Sequence, residues 1–157
     1  MRLFNRVGVA GTFAQFHKGH EDLLSTAFKL GEKVVIALTA DEMTQNKKYA
    51  NKIPEFEKRK TFLIEYLKSR DLLDRAEIIK LLDKYGTAIT DEHQDAIVVS
   101  EDTYPVTVEI NKIRRERGLN PLYVISIPLI YSEENKPISS TKIREGIIDS
   151  KGKMIKK

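Results

Sequence analysis

Short runs of β-branched and aliphatic residues alternate along this chain with longer stretches of helical periodicity. The runs 7–10, 34–39, 76–82, 96–100 and 122–127 have the length and residue types of buried strands. Between them, apolar residues recur with a helical period in 21–30, 55–68 and about 106–117, and Gly118 closes the last of these. This alternation predicts a doubly wound, Rossmann-like α/β fold, a parallel sheet with helices on both faces.

The length and composition of the chain indicate a single domain. The 157 residues match the commonest domain size, and we expect 1–149 to form the domain and 150–157 (SKGKMIKK) to be a basic, flexible tail. Cysteine is absent, which excludes disulfide scaffolds and cysteine nucleophiles. Arg6 interrupts the opening residues too early for a signal peptide, and no apolar run approaches the roughly 20 residues of a membrane span. We therefore expect a cytoplasmic protein with no membrane partner.

The charge balance favours a small anionic ligand over nucleic acid. The chain has 27 basic and 23 acidic residues, a formal net charge of +4, and part of this excess lies in the predicted tail. The basic run 114–117 is interrupted by Glu116 and has no aromatic stacking platform beside it. We therefore predict no nucleic-acid partner, and the sequence leaves homo-oligomerisation open.

Two histidines follow the first predicted strand, in residues 11–20 (GTFAQFHKGH). Doubly wound sheets bind ligands at the carboxyl ends of their strands. Gly11 allows a tight turn there, and Gly19 lets the chain approach a ligand where the helix begins. His17 and His20, three residues apart, supply imidazole N–H donors for phosphoryl oxygens. The alternatives are helix capping, or a metal site, for which His93 is too remote in sequence and no cysteine is present.

A second polar segment, 137–146 (PISSTKIREG), follows the last predicted strand. Its hydroxyl groups, main-chain N–H groups and guanidinium group suit a triphosphate, although serines before a helix also act as simple caps. We expect this segment and residues 11–20 to converge on one polyanion at the rim of the sheet.

These two segments resemble the hallmarks of the cytidylyltransferase-like nucleotidyltransferases: Gly-Thr-Phe followed by His-x-Gly-His, and a late Ile-Ser-Ser-Thr-x-Ile-Arg. Within that superfamily, residues 81–86 (LLDKYG) and 97–105 (IVVSEDTYP) are similar to the archaeal type of phosphopantetheine adenylyltransferase. The resemblance extends over residues 7–149. One departure is Ala14, which stands where the superfamily usually has aspartate.

The resemblance implies transfer of adenylate from ATP to 4′-phosphopantetheine, which gives dephospho-coenzyme A and pyrophosphate in coenzyme A biosynthesis. The acceptor phosphate would attack the α-phosphorus in line, so the protein positions the substrates and stabilises charge. It further implies that His20 stabilises charge at the α-phosphate, that His17 supports the phosphates and that Thr12 orients the reacting oxygens. The implied ATP and phosphate ligands are Gly11, Phe13, Gly19, Ser139, Ser140, Thr141 and Arg144.

The resemblance also implies a lysine for the acceptor phosphate, and Lys47 and Lys48 are both candidates. Magnesium is expected to arrive with ATP, held by phosphates and water, so no metal-binding residues are predicted in the protein. Three alternatives of the same superfamily stay open: a cytidylyltransferase for an alcohol phosphate and adenylyltransferases for NMN or FMN. A non-catalytic nucleotide sensor and an RNA-binding module are alternatives of other classes.

Overall fold

The computed structural model describes residues 2–47 and 49–128, which form a five-stranded parallel sheet with three α-helices. In chain order the elements are β1 Phe4–Gly11, α1 Lys18–Leu30, β2 Gly31–Thr39, α2 Phe56–Ser69, β3 Ala76–Leu81, β4 Ala96–Ser100, α3 Tyr104–Glu116 and β5 Tyr123–Ile127. Each predicted strand and helix is therefore present. The predicted tail and domain boundary near 149 lie outside the described residues.

The strand order is β3-β2-β1-β4-β5, with every neighbouring pair parallel. The chain moves outward in one direction from β1 to β3 and then crosses to the other side of β1 to form β4. The connections after β1 and β4 therefore diverge, which is where sheets of this kind bind ligands. This topology confirms the predicted doubly wound fold.

One face of the sheet packs against α1 and α2. Alternate residues of the central strands, including Val9 and Ile36, point to this face and are at most 2% exposed. They meet Leu24 of α1 and Leu63 of α2 in one continuous apolar cluster. This cluster is the main core of the described chain and holds both helices against the sheet.

The described residues cover the other face only in part. Helix α3 covers β4 through a smaller cluster that contains Ile97 and Ile110. The connection from β3 to β4 contains a short 3-10 turn, Gly86–Ile89, and no α-helix. The central strands present glycine and alanine to this face, which leaves space between the sheet and α3.

The element ends differ from prediction for local reasons. Helix α1 begins at Lys18, three residues before the predicted start, because His17 caps it. Helix α3 begins at Tyr104, before the predicted 106, since Pro105 is well tolerated in the first turn. Gly118 has φ +77, as expected for a residue that ends a helix in the left-handed conformation. Within the described residues, no helix combines the length and apolarity needed to cross a bilayer.

We predict that Leu63→Ala lowers the free energy of unfolding by about 2–5 kcal/mol, because Leu63 is fully buried and its truncation leaves a cavity. Urea unfolding followed by circular dichroism measures the loss. Leu82 is 66% exposed, so Leu82→Ala should change the same quantity by less than about 0.5 kcal/mol. Equal losses for the two variants would contradict the assignment of the core.

Candidate active site

The segment between β1 and α1 brings the two predicted histidines to the carboxyl edge of the sheet. His17 is the N-cap of α1, with an extended backbone at φ −143 and ψ 178, and His20 lies in the first turn. Both imidazoles therefore sit at the positive end of the helix, beside the point where the connections after β1 and β4 diverge.

Each imidazole accepts a hydrogen bond from the main chain. The Gly19 N–H donates to Nδ1 of His17 at 3.0 Å, and the His17 N–H donates to Nδ1 of His20 at 3.2 Å. The rings stack with their centroids 3.9 Å apart. Because a main-chain N–H only donates, both Nδ1 atoms are unprotonated acceptors, and the neutral rings carry their proton on Nε2.

Burial keeps both rings neutral. It lowers the pKa of His17 to about 4. Burial, followed by the neighbouring His17, lowers the pKa of His20 to about 3. Within residues 2–47 and 49–128, neither Nε2 has a hydrogen-bond partner. Helix capping, considered above as an alternative to function, thus uses one side of each ring and leaves an N–H donor on the other side.

Both glycines of the turn lie in close contact with a neighbouring ring. A Cβ on Gly19 would lie 2.8 Å from Cε1 of His17, so any larger residue would disturb the cap. A Cβ on Gly11 would lie 3.0 Å from the ring of Phe13. Phe13 itself has φ 49 and is 1% exposed, and its ring lies 5.1 Å from that of His20. The Phe13 side chain therefore supports the histidine from beneath.

A buried arginine, Arg59 of α2, lies at the same edge and was missed by the sequence analysis. It is 2% exposed, and its guanidinium donates to the main-chain oxygens of Thr12 and Thr39. The signal was present in the sequence, since Arg59 precedes Leu63 and Leu67 at four-residue intervals on the buried face of the helix. A charged residue in an apolar stripe indicates a specific partner.

A cavity of about 410 Å³ occupies the uncovered space between the sheet and α3. Its walls are mostly apolar, and it meets the histidine turn at Gly11 and Thr12. Lys47 lines it near the carboxyl edge, and Gln94, which is 5% exposed, lines it deeper in the fold. The arrangement can therefore bind an elongated molecule whose anionic end lies near the turn.

Part of the predicted site lies outside the described residues. Lys48 is one such residue, and Ser139, Ser140, Thr141 and Arg144 are the others. The convergence of the two terminal segments thus stays a prediction, whereas His17, His20, Thr12 and Lys47 occupy the same edge of the sheet.

One of the arginines on which the RNA-binding alternative depends is buried inside the protein. Arg114 is 1% exposed and donates to the main-chain oxygens of Ala88 and Asp91. Its guanidinium holds the connection before β4 in place, so it is not available to contact phosphates of a nucleic acid.

Comparisons with known proteins agree with this geometry. A family model described as cytidylyltransferase-like matches residues 9–146. The chain is 45% identical to the phosphopantetheine adenylyltransferase of Methanothermobacter thermautotrophicus, over 99% of this chain and 93% of that one. It is 44% identical to that of Pyrococcus abyssi, over 100% and 99%. Among solved structures, a protein of unknown function from Archaeoglobus fulgidus matches with a TM-score of 0.70 and 28% identity, over 78% of this chain and 88% of that one.

We predict that both histidines of the free protein stay neutral from about pH 8 to pH 5, since their pKa values are lowered to about 4 and about 3. An unfolded histidine has a pKa of about 6.5, so the unfolded chain gains protons first as the pH falls. The stability that the neutral rings confer is therefore complete above about pH 6.5 and declines as the pH falls to about 4 for His17 and about 3 for His20. NMR titration of the His17 and His20 ring protons tests this, and midpoints near 6.5 would contradict it.

Proposed function

The chain belongs to the cytidylyltransferase-like family, and we propose that it is a phosphopantetheine adenylyltransferase. It transfers the adenylyl group of ATP to 4′-phosphopantetheine and releases dephospho-coenzyme A and pyrophosphate, a step of coenzyme A biosynthesis. The observation that carries this proposal is the pair of neutral imidazoles at the start of α1, each with an Nε2–H that no group of the described chain accepts. The sequence supports the same proposal, because relatives that are 41–45% identical to this chain are named phosphopantetheine adenylyltransferase.

The reaction needs no nucleophile from the protein. An oxygen of the acceptor phosphate forms a bond to the α-phosphorus of ATP, while the bond from that phosphorus to the bridging oxygen breaks and pyrophosphate leaves with the electron pair. Negative charge builds on the α-phosphoryl oxygens during this step. His20 donates its Nε2–H to those oxygens, His17 donates to neighbouring phosphate oxygens, and Thr12 orients the reacting groups.

Neutral imidazoles suit this task. Both rings are held by main-chain hydrogen bonds and by stacking at 3.9 Å, so their donors need no reorganisation during the reaction. A hydrogen bond from such a fixed donor strengthens as charge develops on the acceptor oxygen. The positive end of the α1 dipole acts in the same direction.

The cavity between the sheet and α3 accommodates the pantetheine arm of the acceptor. Its volume of about 410 Å³ and its mostly apolar walls suit a chain of methylene groups interrupted by amides. The Gln94 amide supplies a polar group inside it, and Lys47 neutralises the acceptor phosphate at the carboxyl edge. Lys48 is the alternative for this last role.

The remaining phosphates of ATP are bound by the late polar segment and by the glycines of the turn. Ser139, Ser140, Thr141 and Arg144 hold the β- and γ-phosphates, and Gly11 and Gly19 let the main chain approach them. Mg²⁺ bound to ATP would neutralise part of the triphosphate charge, and phosphates and water would hold it without protein ligands. The described turn offers N–H donors to phosphate oxygens instead of oxygen ligands to a metal, which suits an ion carried by the nucleotide. The reaction takes place in the cytoplasm.

We predict that the purified protein releases pyrophosphate from ATP, Mg²⁺ and 4′-phosphopantetheine and forms dephospho-coenzyme A. A panel of ATP and CTP against 4′-phosphopantetheine, NMN, FMN and glycerol 3-phosphate, with pyrophosphate detection, tests the assignment. Turnover confined to CTP or to another acceptor would replace it with one of the alternative nucleotidyltransferase activities. Binding of ATP without release of pyrophosphate from any pair would indicate a nucleotide sensor.

We predict that His20→Ala lowers kcat by about 10²–10³-fold and weakens ATP binding by less than about threefold, since the proposed hydrogen bond strengthens only as charge develops. His20→Asn should have a similar effect on kcat, although its amide oxygen can still accept from the His17 N–H. His93→Ala is the control, because the His93 side chain is 81% exposed and distant in sequence from the turn. Equal losses of kcat and of ATP affinity would instead make His20 a ground-state ligand.

A further inference from the structure

We propose that Arg59 is a positioning residue for this reaction: its guanidinium holds the carboxyl ends of β1 and β2 at a fixed separation. The histidine turn follows the first of these strands and the segment that carries Lys47 follows the second. The catalytic consequence of this inference rests on the proposed adenylyl transfer, whereas the effect on the turn itself can be measured without substrate.

The contacts of Arg59 join four points of the chain around the site. Nη1 donates to the main-chain oxygens of Thr12 at 3.0 Å and of Thr39 at 2.8 Å. Nε donates to the Pro54 oxygen at 2.8 Å, and Nη2 donates to Oδ1 of Asp41 at 2.9 Å. Thr12 directly follows β1 and Thr39 is the last residue of β2, so one planar group spans the ends of two neighbouring strands.

The core does not require a cation at this position. Arg59 lies on the same face of α2 as Leu63 and Leu67, and the burial of a charge is costly unless its hydrogen bonds are satisfied. An apolar side chain would avoid the burial of a charge, although the main-chain oxygens of Thr12 and Thr39 would lose this donor. What an apolar side chain cannot do is bind two strand ends at once, and a guanidinium does this through donors in a rigid plane.

Asp41 completes the arrangement from the solvent side. Its Oδ1 accepts from the Phe56 N–H at the start of α2 as well as from Arg59. Burial raises the pKa of Asp41, but the hydrogen bonds from Phe56 and Arg59 outweigh this and hold the pKa below its usual value. The carboxylate is thus charged at neutral pH and fixes Arg59, the helix start and the end of β2 relative to one another.

Helix α2 also contacts the histidine turn beyond Thr12. The ring of Phe16 lies 5.4 Å from that of Phe62 and 4.8 Å from that of Tyr66, and 5.2 Å from the ring of His20. The turn is therefore attached to α2 at its start by Arg59 and near His17 by aromatic packing. Loss of the first attachment frees the start of the turn from α2, whereas the aromatic packing, the support from Phe13 and the caps of the two rings remain.

The test compares Arg59→Lys with Arg75→Lys. Arg75 also donates to three main-chain oxygens, those of Phe28, Gly31 and Glu32, but it does so at the opposite, amino-terminal edge of the sheet. We expect Arg59→Lys to lower kcat by about 10–100-fold with less than about a threefold change in the dissociation constant for ATP, because small misplacements of catalytic groups have effects of this size. Arg75→Lys should change kcat by less than about twofold.

A substrate-free measurement separates positioning from activity. In ¹⁵N NMR spectra of labelled protein, wild-type His17 and His20 should each show a single tautomer, protonated on Nε2. Arg59→Lys should move both toward a mixture of tautomers while the exposed His93 stays unchanged, and Arg75→Lys should leave all three unchanged. Asp41→Ala removes the partner of Arg59 from the solvent side and should shift the same two signals.

The proposal is overturned if Arg59→Lys and Asp41→Ala both retain wild-type histidine spectra and wild-type kcat. It is also overturned if Arg75→Lys shows the same losses, because the effect would then be one of general stability. All variants are compared at a temperature well below their unfolding midpoints. Absence of turnover in the wild-type protein would refute the proposed function alone, since the histidine spectra would still decide whether Arg59 holds the turn.

Discussion

The chemistry of the site depends on the two hydrogen bonds between the main chain and the Nδ1 atoms of His17 and His20. They cap α1, fix the tautomer of both rings and set the direction of the remaining N–H donors. Gly19 makes them sterically feasible, and Phe13 supports the second ring from the core. A local requirement of the helix, the pairing of its first N–H groups, thereby orients the two N–H donors that we propose as the phosphate ligands.

The sheet supplies the second constraint. Because the crossover from β3 to β4 contains a 3-10 turn where a helix would cover the sheet, no other element among residues 2–47 and 49–128 covers the face above β1 and β2. The cavity that results begins at Thr12 and extends inward to Gln94, so it adjoins the histidine turn. One topological feature thus places the cavity that we propose for the acceptor beside the turn that we propose for the phosphates.

The sequence was sufficient for the fold and for the position of the two histidines at the edge of the sheet. The strands and helices follow from residue periodicity, and the histidines were found because Gly11 and Gly19 mark the turn that must bind ligands in such a sheet. Arg59 was not found, because its role depends on carbonyl groups of Thr12 and Thr39 that are distant in sequence. The cavity was also not predicted, because it exists where the β3 to β4 crossover has no α-helix to cover the sheet.

The two faces of β1 tolerate substitution differently, because one packs in the main core and the other lies against the cavity. Val7 and Val9 face the main core, where another aliphatic side chain of similar volume can be accommodated by repacking. Gly8 faces the opposite way, and a Cβ there would collide with the Gln94 amide. Adjacent positions of one strand should therefore drift at unequal rates among homologues.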